Sequence, residues 1–346
     1  MAQNQGCQTG AKQRSLTINL LTVVPSGMVL LADSMLTLRQ ESGPTTITTF
    51  DSAEKLIALC REPFPAAALI SGPGNVNRKL VSELLRSAGD AIDKQLDNDD
   101  EDAVDHEAVV SEIRSVLNAE WPAAMEASRC DAAQRESKRL SVHNATREAR
   151  GLPPLAQIEP KHIAIPDADD NDPENAFIDW KITKLIVVVA THIDGAKVTV
   201  MSWPGSDVVM DLSSPREQMR WWGSGSTAVS RLVLGFDRQK LDLLREGGGR
   251  DKAGAALRRR ADTMARYAEM ARELFMMPVP LESLPLQAAI EFTEFLGMAA
   301  CRYDEFSVGE TTVGGPLDVL VLQPKRRHWV RKKEIHSTLG QQAGPC

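Results

Sequence analysis

The sequence predicts an α+β protein in which two antiparallel sheets are covered by helices. Three observations carry that expectation: a hairpin signal over residues 17–33, a second over 185–203, and two segments of helical periodicity between them at 77–92 and 106–125. Strands joined by short turns pair antiparallel, and the apolar stripe of each helix needs a sheet face to cover it.

In the first hairpin, Ile18, Leu20, Leu21, Val23 and Val24 supply an apolar strand, Pro25-Ser26-Gly27 the turn, and residues 28–32 an unbroken apolar return that ends on Asp33. Residues 77–92 place Leu80, Leu84 and Leu85 on one helical side, and 106–125 repeat the pattern with Val109, Ile113 and Leu117. The acidic run 97–102 lacks the spaced ligands and turn glycine of a calcium loop and reads as a solvated connection. Residues 129–176 carry charge, proline and aspartate without sustained periodicity, which reads as an insertion draped across the surface.

The second hairpin turns at Asp194-Gly195, beside His192, a turn histidine with no spaced ligand partner. A further short strand is expected at 208–211 and a helix from Ser226 through Leu234. After the Gly-Gly-Gly break at 247–249, a charged helix over 253–275 presents Arg258, Arg259 and Arg260 as a solvated face or subunit contact. A helix over 282–300 and a strand at 317–322 close the core, and the basic segment 325–333 reads as a solvated tail.

Composition sets outer limits. With 346 residues, 42% hydrophobic and 25% charged, the chain can bury a large core, and a net charge of -7 argues against a nucleic-acid surface. Five scattered cysteines, Cys7, Cys60, Cys130, Cys301 and Cys346, form no CxxC pair and read as thiols in a reducing compartment. Neither an HExxH helix nor a P-loop occurs, so no metal, nucleotide or other cofactor is expected. The apolar stretch 16–32 is interrupted by Thr17, Asn19, Thr22 and the Pro-Ser-Gly turn, which argues against an export signal. The longest clean apolar run, 185–190, falls far short of a bilayer span, and a cytoplasmic protein without a membrane partner is expected.

A hairpin returns each residue opposite its partner, so the sixteen positions between Thr17 and Asp33 become a short distance. This arrangement, with Leu30-Leu31-Ala32-Asp33-Ser34 at the strand end, resembles the opening of proteasome β-subunits and their bacterial relatives, N-terminal nucleophile hydrolases whose mature chains begin with a catalytic threonine. Further segments follow in the family's order. Residues 50–59 resemble the segment whose lysine, here Lys55, is catalytic, and 66–74 resemble the strand leading to the oxyanion glycine, here Gly72. Trp222-Gly223-Ser224-Gly225-Ser226 is similar to the family's Gly-Ser-Gly-Ser element at a helix start. Residues 302–309 match its Asp-x-x-Ser-x-Gly turn with Asp304, Ser307 and Gly309, while Leu16 stands where self-processing members carry glycine.

The resemblance implies a four-layer αββα sandwich of two antiparallel sheets and a threonine peptidase. Thr17 would be the nucleophile once residues 1–16 are removed, its own α-amine, with a reference pKa of about 7.7–8.0, serving as base. Lys55 would favour the unprotonated amine and polarise the hydroxyl, and Asp33 would hold the lysine charged and oriented. Ser224, Asp304 and Ser307 would position the amine and a bridging water, and Gly72 N–H would face the oxyanion, a donor type worth about 3–4 kcal/mol in studied hydrolases.

By the same resemblance, peptide or unfolded-protein substrates would be cleaved inside a homo-oligomeric ring, with an ATP-dependent unfoldase as gatekeeper. Two other readings stay open: a small-amide hydrolase of the same mechanism, and a catalytically silent shell subunit in which Thr17 is never exposed. The division expected is a leader at 1–16, one domain at 17–323 with insertions at 129–176 and 240–280, and a basic tail at 324–346.

Overall fold

The structure, a computed structural model, describes residues 12–14, 17–40, 46–50, 53–97, 104–151, 163–164, 178–179, 184–213, 218–223, 226–234, 262–263, 266, 279–306 and 313–333. The first strands are β1 (Lys12–Arg14), β2 (Asn19–Val24), β3 (Gly27–Asp33), β4 (Leu36–Gln40), β5 (Thr46–Phe50), β6 (Leu56–Ala58), β7 (Ala66–Ser71), β8 (Asn75–Val76) and β9 (Lys79–Leu80). Two helices follow, α1 (Val81–Asp97) and α2 (His106–Glu148), and then β10 (Ile163–Ala164), β11 (Ile178–Asp179), β12 (Leu185–His192), β13 (Ala196–Trp203), β14 (Val208–Val209) and β15 (Met219–Trp222). The chain continues through α3 (Ser226–Leu234), α4 (Leu286–Glu305), β16 (Leu317–Gln323) and β17 (Arg326–Arg331).

Two five-stranded antiparallel sheets organise these elements, one ordered β15-β2-β3-β16-β17 and the other β14-β13-β12-β7-β6. Both expected hairpins form, with Val24 opposite Gly27 in the first and His192 opposite Ala196 in the second. Leu21, Leu30 and Leu320 of the first sheet share a core with Leu69, Val188 and Val198 of the second. On the second sheet's other face, Val187 and Val189 pack with Leu85 of α1 and Ile113 of α2. On the first sheet's other face, Leu31 and Val319 pack with Val229 of α3 and Leu296 of α4. Every residue of β3 is therefore buried, which explains its unbroken apolar run: neither face meets water. Each such fully buried leucine or valine contributes about 1.5–3 kcal/mol.

Three elements differ from expectation. The helix expected from residue 77 starts at Val81, because Asn77 and Arg78 take left-handed backbone (φ 48° and 64°) and turn the chain between β8 and β9. Leu80, expected on the helix's apolar side, lies on β9 and is 49% exposed. The helix expected over 106–125 runs to Glu148, 43 residues or about 65 Å, through Pro122, so the first part of the expected surface insertion at 129–176 is helical. Its start is capped by Asp105, whose side chain accepts from Ala108 N–H at 2.9 Å, and Val109, Ile113 and Leu117 are buried as expected. The basic segment expected as a solvated tail instead forms β17, paired antiparallel to β16. Leader residues 12–14 pair with β4. The second expected insertion, 240–280, and the charged helix over 253–275 lie almost wholly outside the described residues.

Among the described residues, no helix is long and apolar enough to cross a membrane, and no group of three or more His, Cys, Asp or Glu side chains is arranged to hold a metal ion.

Candidate active site

The register of the first hairpin brings Thr17 and Asp33 together. Asn19 faces Ala32 in the last rung and Ile18 comes next, opposite Asp33, so Thr17, one residue further out, lies beside Asp33 at the open end of the hairpin. Asp33 N–H donates to Ile18 O at 3.2 Å and closes that end. Thr17 Oγ1 then donates to Asp33 Oδ1 at 2.6 Å, and Ile18 N–H donates to the same oxygen at 3.0 Å.

Lys55 arrives from the second sheet. It stands immediately before β6, and its carbonyl accepts from Ile70 N–H of β7 at 2.8 Å, which fixes its backbone against that sheet. Its ammonium crosses to Asp33 Oδ1 at 2.8 Å. Gly314 N–H, from the loop before β16, donates to the other carboxylate oxygen, Oδ2, at 3.2 Å. Thr17 and Asp33 are 0% exposed and Lys55 only 3%. Burial pushes the Lys55 ammonium below the usual lysine range, against the pull of Asp33, which favours the charged form. A hydroxyl, an amide and an ammonium thus converge on one carboxylate oxygen away from water, where such interactions are strongest.

Other expected site residues fall into three groups. Asp304 is in the last turn of α4, and its Oδ2 accepts from Val313 N–H at 2.8 Å. It therefore braces the loop whose next residue, Gly314, contacts Asp33. Gly72 follows β7 and is buried, with φ 113°; a Cβ there would come within 2.2 Å of the Lys184 carbonyl, so only glycine fits. Its close neighbours are Lys184 and Leu185 at the head of β12, and it lies two residues beyond Ile70, whose carbonyl accepts from Asn19 Nδ2 at 2.9 Å. Ser224 and Ser307 lie outside the described residues.

With this geometry in view, the comparisons with known proteins are limited. No protein-family model and no curated protein matches the chain. Among solved structures, it is similar to the helical assembly of the Anbu complex from Pseudomonas aeruginosa, at 13% identity over 92% of this chain and 88% of that one, with a TM-score of 0.39. Anbu from Hyphomicrobium sp. strain MC1 aligns at 14% identity over 92% and 86%, TM-score 0.36. Anbu (ancestral beta-subunit) from Yersinia bercovieri aligns at 12% over 91% and 87%, TM-score 0.38. Likenesses this weak decide neither family nor activity. The expected membership in the proteasome β-subunit family of N-terminal nucleophile hydrolases is accordingly corrected: with no matching family model or curated relative, the ordered motifs amount to local resemblance.

Three residues act at the site in ways the sequence did not assign, Gly223 having stood out only as part of the Gly-Ser-Gly-Ser element. Gly223 has φ 97°, and a Cβ there would fall 2.0 Å from the Thr17 carbonyl, so this glycine lets β15 close over the threonine. Gly314 supplies a donor to Asp33, and its signal, a Gly-Gly-Pro turn, is common to many loops. Cys301 of α4 lies within electrostatic reach of Asp33, Asp304 and Lys55; burial first, then the two carboxylates, pushes its thiol up to about 12. It is held as a neutral thiol, not a thiolate nucleophile.

Proposed function

We propose that this chain is a threonine-type amide hydrolase in which Thr17 is the nucleophile. The observation that carries this reading is the sharing of Asp33 Oδ1 by the Thr17 hydroxyl and the Lys55 ammonium at 2.6 and 2.8 Å. In the full chain the Thr17 nitrogen is in peptide linkage with Leu16, so the first reaction is on that bond. Thr17 Oγ attacks the Leu16 carbonyl carbon, its proton passes to the Thr17 nitrogen, the C–N bond breaks, and the nitrogen leaves as the free amine of Thr17 while the acyl group stays on Oγ as an ester. Water then hydrolyses the resulting ester, releasing residues 1–16 as a carboxylic acid and restoring the hydroxyl. In later turnovers that amine takes the hydroxyl proton as Oγ attacks a substrate carbonyl, and it returns the proton to the departing substrate amine. Asp33 orients Lys55, whose buried charge keeps the neighbouring amine unprotonated.

The finer expectations belong to the same proposal. Three apolar cores, one between the sheets and one under each pair of helices, support a four-layer αββα sandwich. Peptide or unfolded-protein substrates, an oligomeric ring enclosing the site, an ATP-dependent unfoldase and the division at residues 17–323 are proposed on the motif order alone. One observation favours the silent-subunit reading, the complete burial of Thr17.

Intact mass spectrometry of the purified wild type beside Thr17→Ala decides between them. Loss of residues 1–16 from the wild type alone is the expected result and licenses a screen of peptide and small-amide substrates; full-length protein in both samples, with no hydrolysis of either substrate class, ends the hydrolase reading. Native mass of the wild type tests the ring separately, where a monomer would remove it.

A further inference from the structure

Beside the Thr17–Asp33–Lys55 cluster the fold seals in a second acid–base pair. Past the end of β17, Lys333 N–H donates to Asp318 Oδ1 at 2.8 Å, and its ammonium lies 3.9 Å from Asp318 Oδ2, the two side chains being 6% and 2% exposed. Asp318 is in β16 opposite Ala32, the residue before Asp33. The Lys333 ammonium also donates to the Ala53 carbonyl. Ala53 N–H in turn donates to Ser34 O at 3.0 Å. The stretch leading into Lys55 is thus held on one side by backbone next to Asp33 and on the other by Lys333.

Two buried charges are costly to desolvate, and apolar residues of the same volume often serve stability as well or better. Position is what this pair adds. We propose that Lys333, held by Asp318, is a positioning residue for Lys55, tethering the Ala53 carbonyl two residues before it and keeping a second cation within electrostatic reach of it. Asp33 and Cys301 act on Lys55, and Asp318, Lys55, Asp33 and Lys332 act on Lys333; because repulsion between two cations is mutual, the Lys333 charge also disfavours the Lys55 ammonium. Burial pushes the Lys333 ammonium down and the Asp318 carboxyl up, so both are sensitive to loss of the other. The consequence for catalysis rests on the hydrolase reading, whereas the effect on Lys55 rests on geometry and needs no turnover.

The test is an NMR titration of the full chain labelled at lysine 13Cε, which reads the Lys55 midpoint directly. Lys333→Met removes the neighbouring cation and leaves Asp318 unopposed, so the Lys55 midpoint rises by about half a pH unit or more, and Lys333→Arg holds it at the wild-type value. An unchanged midpoint in Lys333→Met, or an equal rise in Lys333→Arg, overturns the proposal. Should Lys333→Met fail to fold, the double variant Asp318→Asn/Lys333→Met leaves no lone buried charge. There the Ala53 and Ile70 amides exchange hydrogen about tenfold faster while Val188 is unaffected, and wild-type exchange at Ala53 sinks the tether. Hydrolysis by the wild type is scored apart, so an inactive protein with a shifted Lys55 refutes the hydrolase reading and leaves this one standing.

Discussion

Two buried polar clusters among the described residues, one joining α2 to the second sheet and one bridging the two sheets, are built differently. At the seam between α2 and the second sheet, His106 Nδ1 lies 2.9 Å from Thr191 Oγ1 and Nε2 lies 2.8 Å from Thr199 Oγ1, all three residues buried. Burial pushes the His106 imidazolium below the ordinary histidine range, and the helix N-terminus likewise disfavours positive charge there. A neutral imidazole offers one donor and one acceptor, and two hydroxyls satisfy both. That cluster locks a helix onto strands β12 and β13 without any net charge. At Thr17, by contrast, an acidic and a basic side chain, Asp33 and Lys55, are buried together with a hydroxyl and amides around them. Neutral hydrogen bonds suffice to join elements; buried charge is the costlier solution, and its presence beside a hydroxyl points to chemistry.

Breaking the charged cluster has the largest effect. Asp33→Asn keeps the shape but removes the carboxylate that faces the buried Lys55, so unfolding free energy falls by about 3–5 kcal/mol in urea titrations. On the proposed hydrolase reading, self-cleavage falls in the same variant by on the order of 10³-fold. Retention of both properties would dissolve the contrast between the clusters. Gly223→Ala comes next: its new methyl meets the Thr17 carbonyl in a left-handed backbone position, at about 1–3 kcal/mol, with displacement of Thr17 read as slower release of residues 1–16.

Breaking the neutral cluster is milder. His106→Gln lowers stability by about 1–2 kcal/mol and leaves self-cleavage unchanged; loss of cleavage would show the two clusters to be coupled. The smallest effect is on pH. Because the folded state holds His106 below its unfolded pKa of about 6.5, the unfolded chain takes up the proton first, and stability present above that value is lost as pH falls through it. His106→Gln flattens that limb of the pH–stability curve, and an unaltered limb would place the titration elsewhere.

The hairpin register made Thr17 and Asp33 legible in the sequence, since alternation and a Pro-Ser-Gly turn fix which residues meet. Lys55 was legible as the residue heading a strand, although not the crossing between sheets that its side chain makes. Gly314 and Lys333 were not, because each reaches the cluster from far along the chain and carries no local pattern that requires it to be there, and Gly223 stood out only as part of a glycine–serine motif, without its close approach to Thr17. The extension of α2 past residue 125 escaped for another reason. Its later half is rich in Ala and Arg, which favour helix by intrinsic propensity but give no single apolar stripe to read. Likewise the alternating Arg326, Arg327, His328, Trp329 and Val330 were masked by their charge, although an edge strand tolerates such residues well.

The pairing of β3 with β16 sets an order of events during synthesis. Gly314 is 281 positions beyond the carboxylate that it supports, and Leu317–Gln323 is made later still. While the ribosome works through the intervening chain, β2 can pair with β3, yet the opposite edge of β3 presents unpaired backbone from an apolar strand. A nascent chain stopped before residue 313 has an open strand edge and an under-supported Asp33, so it is both exposed to association and unable to complete the site. The threonine made near the start of translation acquires its full surroundings only near the end.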